Sequence, residues 1–219
     1  MQNWKREFIT FMMQSDVLRF GEFTTKSGRI SPYFINAGNY RTGGMIAKLG
    51  RYYARCIDQQ LQGEYDALFG PAYKGIPLVT AAAMSLYQEY GQDKPYFFNR
   101  KEAKDHGEGG TLVGYAPQAG DRIIIIEDVI TAGTALRESM EILGTVPDLQ
   151  VKHMFISVDR CEVGQGKDCT AVQEALDLFG VEVHPIIRVT DILEYLCEDP
   201  SCTNHVEAMR AYMDQYCTL

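Results

Sequence analysis

Residues 122–135 read RIIIIEDVITAGTA, and this stretch decides the fold. Its four consecutive isoleucines predict a strand that is covered on both faces, as in the parallel sheets of α/β proteins. Ligands of such sheets bind beyond the carboxyl ends of the strands, where Glu127 and Asp128 follow the isoleucines. The small residues that come next predict a tight turn into a helix, whose first backbone N–H groups attract phosphate. The stretch therefore predicts a phosphate site at the end of a buried strand.

The acidic pair narrows the choice of ligand. Glu127 and Asp128 are expected to face solvent, and they would repel a phosphate placed against them, so they suit neighbouring hydroxyl groups. Ribose 5-phosphate carries both kinds of group, and its 2′- and 3′-hydroxyls would meet the carboxylates. A simpler interpretation stays open at this point: the acids cap the following helix, and Gly133 is ordinary turn chemistry.

Size and charge limit the class of protein. The chain has 219 residues, of which 46% are hydrophobic, and this is enough for one α/β domain over residues 1–219. The formal net charge of −8 argues against a general nucleic-acid binder or a protein of anionic membranes, because both need a basic surface. Charged residues interrupt the apolar N-terminal segment, which predicts neither a signal peptide nor a membrane span. We therefore expect a cytoplasmic protein without nucleic-acid or membrane partners.

The spacing of cysteines and histidines predicts no metal centre. The six cysteines include no C-x-x-C pair, and the four histidines lie far apart in the sequence. Dedicated zinc sites usually show closely spaced ligand pairs, so none is expected here. In a reducing compartment the cysteines are expected to be free thiols, and we assign them no catalytic role.

The rest of the chain alternates between strand and helix patterns. Strands are predicted at residues 20–25, 31–37, 66–69, 95–99, 122–127, 151–158 and 183–189, and helices at 3–18, 42–62, 76–90, 133–144, 170–179 and 191–217. Pro32 argues against a central position for the second strand. The alternation predicts an α/β fold with a doubly wound, mostly parallel sheet flanked by helices, and the terminal helices are expected to pack on the outside.

A polar segment interrupts this pattern between two apolar runs. Residues 99–110 read NRKEAKDHGEGG and predict a mobile loop. By itself such a loop is typical of a solvated hairpin tip. Beside a phosphate site, its cations would neutralise a leaving pyrophosphate, and its closure would exclude water. These cations are Arg100, Lys101, Lys104 and His106.

Four motifs carry a resemblance to a known family. The turn at 127–135 is similar to the 5-phosphoribosyl 1-pyrophosphate (PRPP) signature of the type I phosphoribosyltransferases. Three further motifs resemble those of the orotate phosphoribosyltransferases and occur in that family's order: KSGR with SPYFINAG at 26–38, GPAYKG at 70–75 and NRKEAKDHGEG at 99–109. The resemblance covers most of the chain, and the lysine-rich loop and KSGR are more specific than the turn.

The resemblance implies a fold, a reaction and an assembly. The fold would be that of the type I phosphoribosyltransferases, with a small N-terminal hood at about residues 1–40 and a flexible catalytic loop. The reaction would transfer ribose 5-phosphate from PRPP to orotate, giving orotidine 5′-monophosphate and pyrophosphate in de novo pyrimidine (UMP) biosynthesis. Mg²⁺ would be held mainly through PRPP and water, with no direct protein ligand. The family's loop reaches into the partner subunit, so a homodimer is implied in which Lys101 serves the neighbouring site.

The resemblance also gives roles to individual residues. It implies catalytic roles for Lys101, Lys104, His106 and Asp128. It implies PRPP contacts from Lys26, Tyr73, Lys74, Arg100, Lys101, Lys104, His106, Glu127, Asp128, Val129, Ile130, Thr131, Ala132, Gly133, Thr134 and Ala135. It implies orotate contacts from Phe34, Ile35, Thr131 and Arg160, with the guanidinium of Arg160 on the orotate carboxylate.

Alternatives remain for the base and for the class of protein. Phosphoribosyltransferases for other bases share the sugar-phosphate turn, and their base specificity lies elsewhere. The same fold also serves ligand-sensing regulators of gene expression, which need no turnover. A regulator would have a basic face for nucleic acid and would lack the cations of the loop, and this chain shows the opposite pattern. Taken alone, Arg160 would be a surface ion pair at a strand end, and Phe34 would be an ordinary core residue.

Overall fold

The structure is a computed structural model that describes residues 1–25, 28–104, 110–130, 133–164 and 168–218, with only the backbone at 103, 104 and 110. Its helices are α1 (Asn3–Gln14), α2 (Gly43–Leu61), α3 (Gly75–Tyr90), α4 (Thr134–Leu143), α5 (Ala171–Phe179), α6 (Val189–Glu198) and α7 (Val206–Tyr216). Its strands are β1 (Leu18–Thr24), β2 (Ile30–Ile35), β3 (Ala67–Gly70), β4 (Tyr96–Lys104), β5 (Gly110–Gly114), β6 (Arg122–Ile126), β7 (Gln150–Asp159) and β8 (Glu182–Arg188). None of the described helices is both long enough and apolar enough to cross a membrane.

A six-stranded sheet forms the centre of the molecule, with the strand order β5-β4-β3-β6-β7-β8. Neighbouring strands are parallel from β4 to β8, and β5 runs antiparallel to β4 at the edge. The isoleucine strand β6 lies between β3 and β7, in the interior of the sheet. The predicted doubly wound, mostly parallel α/β fold is confirmed.

The two faces of β6 enter different hydrophobic clusters, because successive side chains of a strand point to opposite sides. Ile124 and Ile126 pack in a cluster with residues of α1, α2, α3, α6 and α7. Ile123 and Ile125 pack in a second cluster with residues of α4 and α5. Both faces of the strand are therefore apolar, and the first polar side chains after it lie at the carboxyl edge of the sheet.

The predicted N-terminal hood is a separate antiparallel hairpin of β1 and β2. Pro32 lies in this hairpin and not in the central sheet, as expected. The first helix ends at Gln14, before its predicted end at residue 18. Asp16 has a φ of 56°, and the Val17 N–H donates to the Met12 carbonyl, so the chain turns here and enters β1.

The polar segment 99–110 is a loop only in part. β4 continues to Lys104, β5 begins at Gly110, and these two residues are paired across the ribbon. The prediction of a loop was wrong for residues 100–104, because β4 continues beyond its predicted end at residue 99 and pairs with β5 again at Lys104. The predicted mobility of residues 105–109 falls outside the described residues.

Candidate active site

The acidic pair lies at the carboxyl edge of the sheet, beside the end of β7. The Glu127 N–H donates to the Phe155 carbonyl at 3.0 Å, and Ser157 donates its N–H and its hydroxyl to the Asp128 carbonyl at 2.9 and 2.7 Å. These bonds extend the ladder between β6 and β7 past the end of β6. Both acids are only 7% exposed, so the expectation that they face solvent was wrong. Both acids are buried because these hydrogen bonds hold the segment after β6 against β7.

Lys74 neutralises Asp128. Its Nζ lies 2.8 Å from Asp128 Oδ2, and the lysine side chain is 68% exposed whereas the carboxylate is 10% exposed. The hydrogen bond from the ammonium to the carboxylate raises the pKa of Lys74. Asp128 Oδ1 accepts a second hydrogen bond from the Val129 N–H at 2.8 Å. The contact brings two predicted PRPP-binding residues together from separate parts of the chain. The ammonium group of Lys74 lies on the solvent side of this ion pair.

Glu127 holds its proton unusually tightly. Burial raises its pKa from 4.5 to about 8, although the Asp128 N–H opposes the change by donating to Glu127 Oε1 at 2.9 Å. The hydroxyl of Tyr53, which belongs to α2, donates a hydrogen bond to the Glu127 carbonyl at 2.6 Å. The raised pKa favours the protonated form of Glu127, whose carboxyl group can donate as well as accept hydrogen bonds.

We expect Glu127→Gln to flatten the pH dependence of stability. The folded chain keeps the Glu127 proton up to about pH 8, whereas the unfolded chain releases it near 4.5. The free energy of unfolding of the wild type should therefore fall as the pH rises through this window. Glutamine keeps the shape and does not titrate, so denaturant unfolding across the window should show a steeper fall for the wild type than for the variant. The exposed Glu141→Gln is the control and should follow the wild type. Parallel curves for wild type and Glu127→Gln would contradict this assignment.

The loop between β3 and α3 brings the backbones of Gly70 and Gly75 into close contact and carries Tyr73, whose ring lies beside Lys101. A Cβ on Gly70 would lie 2.3 Å from the carbonyl oxygen of Gly75, so this approach requires glycine. The Ala72 N–H donates to Asn99 Oδ1 at 2.8 Å and fixes the loop to β4. The peptide bond between Ala72 and Tyr73 is cis, and the ring of Tyr73 is exposed.

A cavity of about 290 Å³ lies at the N-terminus of α4. Its lining consists of Ala72, Lys101, Val129, Ile130, Gly133, Thr134, Ala135, Leu136, Glu138 and Met154. Gly133 has a φ of 71°, which suits glycine, and α4 begins directly after it. The unpaired N–H groups of a first helical turn and the helix dipole favour an anion at such a place. The described residues that follow the acidic pair, from Val129 to Ala135, thus border one cavity.

One predicted cation of β4, Lys101, lines this cavity. Lys101 Nζ is 5.4 Å from the ring centre of Tyr73 in its own chain, and Lys101 lines its own chain's cavity, whereas the resemblance implied that it serves the neighbouring subunit. Arg100 precedes it and is half-buried, and Lys104 ends the strand. The predicted site residues outside the described ranges are Lys26, His106, Thr131 and Ala132.

Arg160 follows β7 and forms an ion pair within the chain. Its Nε and Nη2 lie 2.8 and 2.6 Å from Glu162 Oε1. Its guanidinium lies 4.7 Å from the ring centre of Tyr33, and Nη2 is 3.5 Å from Ser31 Oγ. The sequence left open a surface ion pair at the strand end; the structure shows an ion pair there, but both side chains are only 20% exposed. A substrate carboxylate would have to share this guanidinium with Glu162.

Phe34 and Arg160 lie on different sides of β2. Tyr33 is buried beneath the guanidinium of Arg160, and because side chains alternate along a strand, Phe34 points the other way. Its ring is partly exposed and stacks on Phe23 with 5.4 Å between ring centres. Ile35 returns to the face of Tyr33 and packs against the core. The structure therefore brings Ile35, but not the Phe34 ring, to the side of the predicted orotate contact.

The sequence did not reveal the groups that hold Arg160. Glu162 accepts a hydrogen bond from the Tyr212 hydroxyl at 2.8 Å, and its Oε2 lies 3.6 Å from Arg29 Nη1. Tyr212 belongs to α7, so this helix reaches the site, although the sequence placed it on the outside. No local pattern in α7 signals the contact. The only hint was the position of Arg29 at the end of the KSGR motif.

The chain is similar to known proteins over nearly its whole length. The phosphoribosyl transferase domain family matches residues 37–165. The orotate phosphoribosyltransferases of Pseudomonas fluorescens (strain SBW25) and Yersinia enterocolitica are each 50% identical over 216 residues, which is 99% of this chain and 99% of each relative. The solved orotate phosphoribosyltransferase of Francisella tularensis is 39% identical, with a TM-score of 0.86 over 97% of this chain and 100% of that one. Since the likeness extends from end to end in both sequence and fold, this chain belongs to the phosphoribosyltransferase family and, within it, to the orotate phosphoribosyltransferases.

Proposed function

We propose that this chain transfers ribose 5-phosphate from PRPP to orotate, forming orotidine 5′-monophosphate and pyrophosphate in de novo pyrimidine biosynthesis. The observation that carries the proposal is that the cavity at the start of α4 lies directly beside the Lys74–Asp128 ion pair. Val129 belongs to both, because it lines the cavity and its N–H binds the Asp128 carboxylate. A sugar with phosphate groups at both ends fits this arrangement of anion site, acids and cation.

The 5-phosphate would occupy the cavity at α4. Gly133, Thr134 and Ala135 line it at the first turn of the helix, where backbone N–H groups are free of intrahelical partners. The ribose hydroxyls would then meet Asp128 and Glu127 at the end of β6. A charged acceptor and a protonated neighbour can together accept from and donate to two adjacent hydroxyls.

Stabilisation of separating charges would drive the transfer. Breaking the bond from C1 of ribose to pyrophosphate leaves positive character on the sugar and negative charge on the leaving group. Lys101 lines the cavity, Lys74 pairs with Asp128 at the end of β6, and Lys104 follows Lys101 on β4. Lys101, Lys104 and His106 are the proposed proton donors to the leaving oxygen. A ring nitrogen of orotate attacks the opposite face of C1, so no nucleophilic side chain is required.

The residues at the site fit Mg²⁺ that is bound mainly through substrate and water. Among the described residues that line the cavity, Glu138 is the one carboxylate, and the carboxylate of Asp128 is engaged by Lys74. Mg²⁺ commonly keeps several waters and binds through substrate phosphates, so it needs no dedicated protein cage. When bound, it would neutralise the pyrophosphate.

Arg160 would bind the carboxylate of orotate, and Arg160→Ala tests this role. We expect the KM for orotate to rise on the order of tenfold or more, with a much smaller change in the KM for PRPP, because one charge-assisted contact to the base is lost. Initial rates at varied concentrations of each substrate provide the measurement. Arg210→Ala, at an exposed position of α7, is the matched control and should leave both constants unchanged. A rise confined to PRPP would show that Arg160 serves the other end of the site.

We further infer that residues 1–219 form a single domain and that the active form is a cytoplasmic homodimer that shares its catalytic loops across subunits. The resemblance to the family supports the homodimer. The continuation of β4 to Lys104 at the edge of the sheet supports the shared loop, because it places Lys104 roughly 10 Å along the strand from Lys101.

One assay separates the proposed reaction from its alternatives. The protein is mixed with PRPP, Mg²⁺ and orotate, and the loss of orotate absorbance is followed, with uracil and the purine bases in parallel reactions. We expect turnover with orotate alone. Turnover with a purine and none with orotate would assign the chain to another base, and binding of PRPP without turnover of any base would favour a ligand-sensing regulator.

A further inference from the structure

Pairing between β7 and β8 brings together three metal-binding side chains that lie far apart in the sequence. His153 on β7 is directly opposite Glu182 on β8, and His184 follows two residues later. Opposed residues of paired strands share a face, and so do residues two apart on one strand. The expectation of no metal centre rested on the sequence spacing of the histidines. In the folded sheet, the register of β7 and β8 places the two histidines next to each other.

The ligand atoms of these residues form a compact triangle. His153 Nδ1 lies 3.0 Å from His184 Nε2, and Glu182 Oε2 lies 3.8 Å from the first nitrogen and 3.9 Å from the second. Around a tetrahedral Zn²⁺ with bonds of about 2.0–2.1 Å, ligand atoms lie roughly 3.3 Å apart. The edge between the histidines is therefore roughly 0.3 Å shorter than a metal requires, and the two edges to Glu182 are roughly 0.5–0.6 Å longer.

Of the three side chains, His184 is buried, whereas Glu182 is exposed to solvent. The side chain of His184 is 9% exposed, and its ring stacks on Phe155 with 4.8 Å between ring centres. The side chain of His153 is 27% exposed and that of Glu182 is 63% exposed. Burial lowers the pKa of both histidines, which favours the neutral imidazole that binds metals. A buried anchor and an exposed carboxylate permit an ion to enter from solvent.

We propose that His153, Glu182 and His184 form a binding site for one divalent transition-metal ion such as Zn²⁺. Two imidazole nitrogens and one carboxylate oxygen suit metals of this class better than Mg²⁺ or Ca²⁺, which prefer oxygen ligands. The three ligands leave a fourth position for water.

The site is distinct from the active site. His153 precedes Ser157, which binds the Asp128 backbone, by four residues on β7, a distance of roughly 13 Å along the strand. The proposed ion lies toward the amino end of the parallel strands, whereas the acids and the cavity lie at the carboxyl end. Its effect is structural: the ion links β7 to β8, the edge strand of the sheet, and stabilises the folded chain because it binds that state preferentially.

The test is a Zn²⁺ titration of metal-free, tag-free protein against a chromophoric chelator, with excess Mg²⁺ to occupy any site at the proposed PRPP pocket. We expect one Zn²⁺ per chain, a higher melting temperature with Zn²⁺, and an affinity that falls by at least about tenfold in each of His153→Gln, Glu182→Gln and His184→Gln. His205→Gln removes a histidine outside the cluster and should bind as the wild type does. Co²⁺ should give an absorption spectrum without thiolate charge-transfer bands, since the six cysteines are free thiols and are the competing ligands.

Two results would overturn the proposal. Unchanged Zn²⁺ affinity in Glu182→Gln and His184→Gln would mean that the histidines only form a hydrogen bond with each other. Thiolate bands with Co²⁺, together with unchanged affinity in the three variants, would place the ion on cysteines. Glu182→Gln changes an exposed side chain, so it keeps the test valid if a histidine variant does not fold. Circular dichroism and melting without metal establish folding for every variant.

Discussion

Asp128→Asn is expected to lower kcat by on the order of tenfold to a hundredfold in a chain that stays folded. Asp128 is the acid that remains paired with Lys74 at 2.8 Å, and its carboxylate is nearly enclosed. Loss of a charged acceptor from a buried hydroxyl contact costs about 1.5–3 kcal/mol, which gives this range of rates. Asparagine keeps the shape and can still accept from the Val129 N–H, so the backbone of the turn is preserved.

Steady-state kinetics with orotate and PRPP, beside denaturant unfolding, measure the two parts of this prediction. Asp148→Asn is the matched control, because Asp148 is exposed and asparagine tolerates its φ of 57°. In a double-mutant cycle, Lys74→Ala and Asp128→Asn should together cost less than the sum of their separate effects, since each breaks the same pair. Wild-type kinetics in a folded Asp128→Asn variant would exclude Asp128 from the reaction.

Mixed dimers should recover activity when one subunit carries Lys104→Ala and the other carries Asp128→Asn. Lys104 lies three residues beyond Lys101 on β4, roughly 10 Å further along the ribbon. If Lys104 serves the neighbouring site, a mixed dimer has one site with both defects and one site with neither. Mixed dimers isolated with two different affinity tags should then show about half of the wild-type turnover per dimer, against near inactivity of each variant alone.

The same experiment with Lys101→Ala provides the comparison. Lys101 lies against Tyr73 of its own chain and lines its own cavity, so a mixed dimer with Asp128→Asn should carry one defect in each site and stay inactive. If mixed dimers with Lys104→Ala, confirmed by mass, show no recovery, the loop closes over its own subunit. A protein that remains monomeric at assay concentrations would contradict the shared site directly.

Local sequence was sufficient to predict the strand, the acids and the turn that border the proposed phosphate site. The isoleucines define a strand buried on both faces, and a strand of that kind places the following acids at the carboxyl edge of a parallel sheet. Gly133 then marks the positive φ that starts α4. These features depend on neighbouring residues, so they can be recognised without knowledge of the rest of the fold.

Contacts between distant segments could not be predicted in this way. The burial of Glu127 depends on bonds to β7, and the placement of Arg160 depends on its contacts with Tyr33 and Ser31 of the distant strand β2. The meeting of His153 with His184 depends on the register of β7 and β8, which a shift of one residue would abolish. The polar composition of residues 100–104 concealed a strand, because an exposed ribbon needs few apolar side chains.

The network of Arg29, Arg160, Glu162 and Tyr212 bears on the order in which the protein is assembled during synthesis. The phosphate half of the site needs only segments up to the end of β7, which leave the ribosome early. The proposed base site depends on contacts between distant segments. One hydrogen bond spans 129 positions, from Arg160 to Ser31 of the hood, and another spans 50, from Tyr212 of α7 to Glu162. Contacts of such long range form late, after the chain between them has been ordered. A nascent chain would therefore complete the proposed sugar-phosphate site first, and the proposed base site only after α7 has packed.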